Sequence, residues 1–382
     1  MKKAIFTLAT PLLLAATAAN AATVIKTDNS SLDIFGRAKF TGTHTADGND
    51  SSSSTSPSAR FGVKGDVKNE NGTSAFFHIG WELQSSREDI ASNNVTTAKV
   101  ADPDNPTNKD KRISVVTDAG SDNITSRYVF VGLGSETLGK ISFGQNDTPF
   151  YTMVTSTTDI PYYNSMEGTA GTYGYRFAPN LALYSNTFGK LSVQASYQFQ
   201  TAQHSSKQIL DYYGAGLNTA NFQTQDNAYS AGAIYALTDK LNLHGGFAYQ
   251  GFINGADKAD YGVALDYTIN NLYLGTVFTY SKENDVKKTA NRKAAEIAAS
   301  YNMGKYTFDA SYAYGKQRSD VATTSTTDSD GVTTVINNNK TYGKAINLDV
   351  QYHVFSNVTV AAGISHLSDG GNEYDTSLNY SF

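Results

Sequence analysis

The chain has 382 residues, no cysteine and a net charge of −5, which excludes disulfides, thiolate metal sites and a cysteine nucleophile and gives no electrostatic basis for binding nucleic acid. Mean hydropathy is −0.38, yet aromatic residues reach 12%, with 25 Tyr and 19 Phe beside a single Trp. Beyond the N-terminal leader no apolar run approaches the roughly 18–20 residues of a membrane helix, so helical spans are excluded. A membrane β-barrel is not, because only one face of each strand meets lipid and the mean hydropathy stays low. A soluble β-sandwich has similar averages, so composition alone leaves both open.

Residues 1–21, MKKAIFTLATPLLLAATAANA, start basic, run apolar and end on small residues. That is the pattern of a secretory signal peptide, with cleavage after Ala21 in the setting Ala19-Asn20-Ala21, or one residue later after Ala22. Its apolar run is too short to span a membrane. Without Lys2 and Lys3 the net charge moves from −5 to −7.

From there the chain alternates apolar and polar residues with period two. In AFFHIGWELQ, Phe77, Ile79, Trp81 and Leu83 share one face and His78, Gly80, Glu82 and Gln84 the other. LSVQASYQFQ, DYGVALDYTI, YTFDASYAYG and INLDVQYH repeat the pattern. Successive side chains of a strand point to opposite faces, so each run has one greasy and one polar or small face. Strands are expected near 33–45, 58–69, 73–85, 124–134, 140–146, 175–186, 189–200, 226–237, 240–251, 259–270, 271–283, 292–303, 305–317, 342–354, 357–368 and 373–382. That makes sixteen, an even number as in single-chain bacterial barrels. KAAEIAAS at 293–300 holds helix formers, but its neighbours place it as strand. Short turns such as Asn69-Glu70-Asn71-Gly72 and Asn270-Asn271 alternate with long polar loops at about 46–57, 86–123, 201–225 and 318–341, the asymmetry of an outer-membrane barrel.

Between Asn146 and Tyr175 the alternation stops. This stretch holds Pro149 and Pro161, several tyrosines, and only three acids: Asp147, Asp159 and Glu167. A long non-strand insert in a ladder of strands is usually functional or disordered; here it is expected to fold into the barrel and narrow a water-filled pore. Other patterns carry less. GSETLGKI at 134–141 ends in Ile141 where a phosphate loop needs Ser or Thr and joins two strands, so it is a turn. His44, His78, His204, His244, His353 and His366 lack ligand spacing, the loop acids lack a full calcium-loop pattern, and no nucleophile–base–orienter motif is present. No cofactor, metal or enzymatic activity is expected.

The terminal run EYDTSLNYSF, ending on Phe382, resembles the last strand of Gram-negative outer-membrane proteins. ATVIKTDNSSLDIFGRAKF, SARFGVKGD at 58–66 and SRYVFVGLGSETLGKISFGQND at 126–147 are similar to the opening, second strand and fourth-to-fifth strand region of the general-diffusion porins of the enteric and Haemophilus–Pasteurella type. That resemblance implies an all-β, sixteen-stranded antiparallel barrel over 22–382, with the third extracellular loop (146–175) folded inward. It further implies a homotrimer in the outer membrane, in contact with its lipids and lipopolysaccharide, passing small hydrophilic solutes and ions. In that family the loop sets acids against basic residues of the facing wall. The positions carried over are Arg37 (in IFGRA), Arg60 (in ARFGVKG) and Arg176, which begins the strand leaving the loop. Gln145 stands where the family has a further arginine. Strict alternation puts it on the face of Ile141 and Phe143, so an inward placement needs a bend there. Asp159 takes the acid position before Pro161. PYYNSMEG replaces the family's PEFGG, with Tyr162 in the glutamate position and Glu167 as its substitute. Arg127 and Lys64 read as ordinary pore wall. The tyrosines Tyr151, Tyr162, Tyr163, Tyr173 and Tyr175 leave a second reading open, a substrate-specific channel with a tyrosine-lined slide, although loop packing is the simpler role for them.

Overall fold

The period-two pattern becomes one continuous ladder in a computed structural model. The structure describes residues 22–47, 50–84, 95–100, 111–116, 123–163, 176–199, 225–252, 257–285, 288–319, 325–327, 333–335, 340–367 and 371–382. The staves are β1 (Ser30–Asp47), β2 (Asp50–Lys68), β3 (Thr73–Gln84), β4 (Asn123–Ser135), β5 (Gly139–Asn146), β6 (Ala178–Phe188), β7 (Leu191–Gln198) and β8 (Gln225–Ala236). They continue as β9 (Leu241–Phe252), β10 (Asp257–Ile269), β11 (Leu272–Asp285), β12 (Lys288–Met303), β13 (Tyr306–Ser319), β14 (Lys340–Phe355), β15 (Val358–Leu367) and β16 (Gly371–Ser381). Each pairs antiparallel with its neighbours in sequence, and β16 returns to β1 in the register Arg37↔Ser381 to Ala46↔Asn372. The barrel is closed with sixteen strands. A short strand, Ala22–Lys26, lies on the same edge of β1 beyond the end of β16. The Gly36 N–H donates to the Phe382 carbonyl at 2.8 Å and the Phe382 N–H to the Gly36 carbonyl at 2.9 Å. Closure leaves the sixteen-stranded sheet without an open edge, which a backbone surrounded by lipid requires.

The two faces differ as the alternation predicts. On β10, Tyr261 is 52% exposed while the adjacent Asp260 is 2% exposed. Large exposed side chains continue around one face: Phe61 and Trp81 stack with ring centroids 4.9 Å apart, as do Tyr229 and Tyr249. The other face carries small and polar residues, including Ser230, Ala264, Asn347 and Ser365, all buried. KAAEIAAS lies in β12, paired on both sides. Ala294, Glu296 and Ala298 are buried and Ile297 is exposed, so the two-sided ladder overrides the helix propensity of the alanines.

The boundaries differ from the sequence reading mainly at the first hairpin, the sixth strand and the start of β12, which is Lys288 and not 292. The expected long loop at 46–57 is mostly strand: β1 and β2 stay paired out to Asp47↔Asp50. Ladder bonds use backbone groups, which the Ser/Thr run from Ser51 to Ser56 supplies as well as any other; without an apolar face it gave no alternation to read. The sixth strand begins at Ala178, because Phe177 takes a φ of 52°, which breaks extended pairing. Asn180, at the same φ, sits inside the strand where the register slips between Asn146↔Ala178 and Gly144↔Leu181. The leader 1–21 lies outside the described residues, as does nearly all of the loops 86–123, 201–225 and 318–341. Within them only two short ribbons are described, Val95–Val100 with Lys111–Val116 and Ser325–Thr327 with Thr333–Val335.

Candidate functional site

Register brings four charged residues of four neighbouring strands together. Arg37 of β1 pairs with Arg60 of β2, and Arg60 with Glu82 of β3. Between β3 and β4 the pairing slips from Gly80↔Tyr128 to Trp81↔Ser126, leaving Arg127 as the extra residue of a bulge, a device that re-aims a side chain. Arg60 Nε donates to Glu82 Oε1 at 2.7 Å, Arg127 Nη1 bonds Glu82 Oε2, and Arg37 Nη2 lies 3.9 Å from Oε1. Three guanidinium groups thus share one carboxylate, which is only 7% exposed. Sequence reasoning assigned Arg37 and Arg60 but missed Glu82 and took Arg127 for plain wall. The signal was present: counting back symmetrically from the Asn69–Gly72 turn places Glu82 opposite Arg60.

A second charged group ties the two ends of the central loop. Arg176 Nη1 is 3.6 Å from Asp159 Oδ2 and its Nε 3.9 Å from Asp147 Oδ1. Its guanidinium lies 4.5 Å over the Tyr151 ring and 4.8 Å over Phe177. Asp147 also accepts from the Tyr128 hydroxyl at 2.7 Å and the Phe177 N–H at 3.1 Å, and Asp159 from the Tyr151 hydroxyl at 2.7 Å. Burial, then the Asp159 charge, pushes the Tyr151 hydroxyl above its ordinary range, so it stays a donor. Burial weakens the Arg176 proton's hold, but the charges of Asp147 and Asp159 outweigh it, and the guanidinium is held more firmly charged than usual. Asp159 and Arg176 are therefore brought together, within the loop itself.

Gln145 is not brought to the arginines. It pairs with Val129 across β4 and β5 and exchanges hydrogen bonds of 2.8 Å with Ser126, on the face that carries Trp81. Gly144 does bend, with φ of 136°, yet the parity of the ladder survives as far as Gln145, and the slip falls between Gly144 and Asn146 on the β6 side. The inward placement of Gln145 is thereby corrected. Glu167, Tyr173 and Tyr175 lie outside the described residues.

Between the two charged groups the loop follows the small-and-polar face around the barrel. Pro149 opens a short helix, α1 (Pro149–Met153), followed by a 3-10 turn at Thr155–Thr158. Proline suits a first helical turn, but five residues cannot be stable alone; packing holds them. Phe150, Met153 and Val154 are buried against Ala248, Ala264 and Val277. The Phe150 N–H donates to Ser230 Oγ at 3.0 Å, the Tyr273 hydroxyl to the Thr157 carbonyl at 3.0 Å, and Thr158 Oγ1 to Glu296 at 3.2 Å. Further on, the Tyr163 hydroxyl donates to Ser377 Oγ at 2.7 Å, and Lys39 Nζ sits 4.2 Å over the Tyr162 ring. Tyr151 and Tyr163 are buried and use their hydroxyls on these contacts, so they pack the loop.

A row of glycines makes the seat. Gly232 pairs with Gly246, and Gly246 with Gly262. A Cβ at Gly232 would come within 2.6 Å of Met153 Cβ, at Gly246 within 2.9 Å and at Gly262 within 2.7 Å of the Val154 methyls, and at Gly275 within 2.2 Å of the Thr157 carbonyl. These contacts exclude any side chain at those positions without moving the loop.

A family model described as Gram-negative porin matches residues 7–372. Outer membrane protein U of Vibrio parahaemolyticus is 26% identical over 321 residues, 82% of this chain and 80% of that protein. Outer membrane porin N of Escherichia coli is 25% identical, covering 79% and 77%. Among solved structures, Salmonella typhi OmpF in complex with daunomycin superposes with a TM-score of 0.67 at 18% identity, covering 94% of this chain and all of that one. The trimer form of Vibrio cholerae OmpT gives 0.63 at 15% identity, covering 93% and all of it.

Proposed function

The chain belongs to the Gram-negative porin family, outer-membrane channels for passive diffusion, and from that premise we propose that its pore is narrowed between the central loop and the arginine wall. The observation that carries this reading is the one-sidedness of the loop. Residues 149–163 lie on the face of β8–β16 that a membrane barrel turns to its lumen. The arginines of β1, β2 and β4, with Glu82 of β3, stand on the same face of the remaining sector, which the loop meets at Lys39 and whose edge Phe177 meets at Arg127. Arg176 joins that wall, since its guanidinium and that of Arg127 both pack on the Phe177 ring. Solutes then pass between this basic wall and the acid-bearing loop with Asp159. Charges set across a narrow waist order water and dipolar solutes, and slow apolar ones that must shed hydration. Small hydrophilic solutes and ions are the expected cargo. A homotrimer is the expected assembly, in keeping with the trimer form of the Vibrio cholerae neighbour, and the 1–21 segment the export signal.

Planar-bilayer recording tests the reading. Large, ohmic, stepwise conductance and uptake rates linear in solute concentration are expected; saturable uptake of one sugar would instead favour a substrate-specific channel. Asp159→Asn should move the reversal potential in a salt gradient toward anions. No movement would remove Asp159 from the waist.

A further inference from the structure

One patch of the lumen wall is unlike the rest. Beside the arginine row, toward the short-turn rim, Phe35 of β1, Phe76 and His78 of β3, and Tyr128 and Phe130 of β4 form a connected ring cluster. Centroids are 5.2 Å apart for Phe35–His78, 4.8 Å for His78–Tyr128, 5.5 Å for His78–Phe130 and 6.4 Å for Phe76–Phe130. The pairings Phe35↔Gly62, Gly62↔Gly80 and His78↔Phe130 put these rings on the face of Arg37, Arg60 and Glu82. All five are half-buried. The lumen of a diffusion barrel is ordinarily polar, so a ring cluster on its water face is unexpected.

Two features give the patch a binding geometry. Glycines face the rings: a Cβ at Gly62 would come within 2.3 Å of Phe35 Cζ, and one at Gly132 within 2.4 Å of Phe76 Cζ. Those two rings therefore lie down over bare backbone, with the Lys64 amine 6.0 Å from the Phe35 centroid and the Lys140 amine 5.7 Å from that of Phe76, two more cations beside the rings. The adjoining charge is also unbalanced, since among the described residues the ion pairs of Arg37, Arg60 and Arg127 all go to Glu82. Along β1 the ring of Phe35 and the guanidinium of Arg37 are two residues apart, about 6.6 Å of strand. That span matches a phenyl ring separated from its carboxylate by a short carbon chain.

We propose that this wall is a binding subsite for planar aromatic carboxylates, with the ring against Phe35, His78 and Phe130 and the carboxylate on the arginine row. The site rests on the pore reading above, because it needs this sector open to solutes. Stacking supplies the preference for a ring, and the guanidinium fork the preference for a carboxylate. Weak, fast occupancy would hold such solutes at the waist without closing it.

The test is single-channel recording with 3-phenylpropionate, hexanoate, 3-phenylpropanol, 2-phenylethylammonium and glucose added in turn at neutral pH. Concentration-dependent interruption or reduction of current by 3-phenylpropionate is expected, at least about fivefold stronger than by hexanoate or by the neutral and cationic ring compounds. That ratio is about 1 kcal/mol, the worth of one aromatic contact. Phe130→Leu should lower the effect about threefold or more at unchanged open-channel conductance. Equal block by hexanoate, block by glucose instead, or indifference to Phe130→Leu in a conducting channel would overturn the site alone. A chain that inserts yet carries no current would overturn the pore reading and this site with it.

Discussion

Glu82→Gln is expected to turn the pore wall strongly anion-attracting and to weaken the barrel locally. Glutamine keeps the shape of the side chain but leaves Arg37, Arg60 and Arg127 without their common carboxylate. At an effective dielectric constant near 20, one charge pair about 4 Å apart is worth roughly 4 kcal/mol, and Arg60 is nearer than that. Water and counterions in the lumen recover part of the loss, so the chloride-over-potassium permeability ratio should rise about tenfold or less, each tenfold step being about 1.4 kcal/mol. Stripping one partner from a buried ion pair costs about 3–5 kcal/mol; here the arginines keep some solvent, and a fall at or below the lower end is expected. Reversal potentials in a potassium chloride gradient and the midpoint of heat dissociation on gels check both effects. Glu82→Gln combined with Arg127→Gln should recover most of the stability. Unchanged selectivity in the single variant would mean that this cluster does not face the ion path.

Gly262→Leu is expected to unseat the central loop. The Val154 methyl and the Phe150 ring stand 2.7 and 3.2 Å from where its Cβ would be, and both side chains are fully buried. Overpacking of a tight contact costs about 1–3 kcal/mol, and α1 has too few residues to persist once lifted. Higher and more variable single-channel conductance should follow, with a lower dissociation temperature. Gly245→Leu is the control, because a Cβ there meets nothing within 4 Å. Identical conductance in both variants would refute the seat.

Much of the architecture was legible because alternation is a direct print of the two faces, and most of the strands follow it. The first hairpin escaped, since the serines from Ser51 to Ser54 offer no apolar face; their pairing rests on backbone bonds and one side-chain contact, Ser53 Oγ with His44 Nδ1 at 2.9 Å. Arg37 and Arg60 could be placed from their motifs. Glu82 could not, because its role depends on register across four strands and on the bulge at Arg127, neither visible in a single run. Gln145 shows the reverse: strict parity described it better than the expected bend. The glycine row was silent for a simpler reason. Gly232, Gly246 and Gly262 look like ordinary small residues until pairing sets them side by side, and Gly275, opposite Asp266, meets the loop farther along.

That row has a consequence for time as well as space. A lid must leave and regain its seat within milliseconds, which calls for a hinge and few attachments. From Phe150 to Tyr163 the central loop is instead fastened strand after strand, from Ser230 on β8 to Ser377 on β16. Lifting it means breaking those contacts together, so the segment belongs to the rigid frame. Current through an open pore should accordingly run flat, and closures, where a trace shows them, should arise in some other part of the molecule.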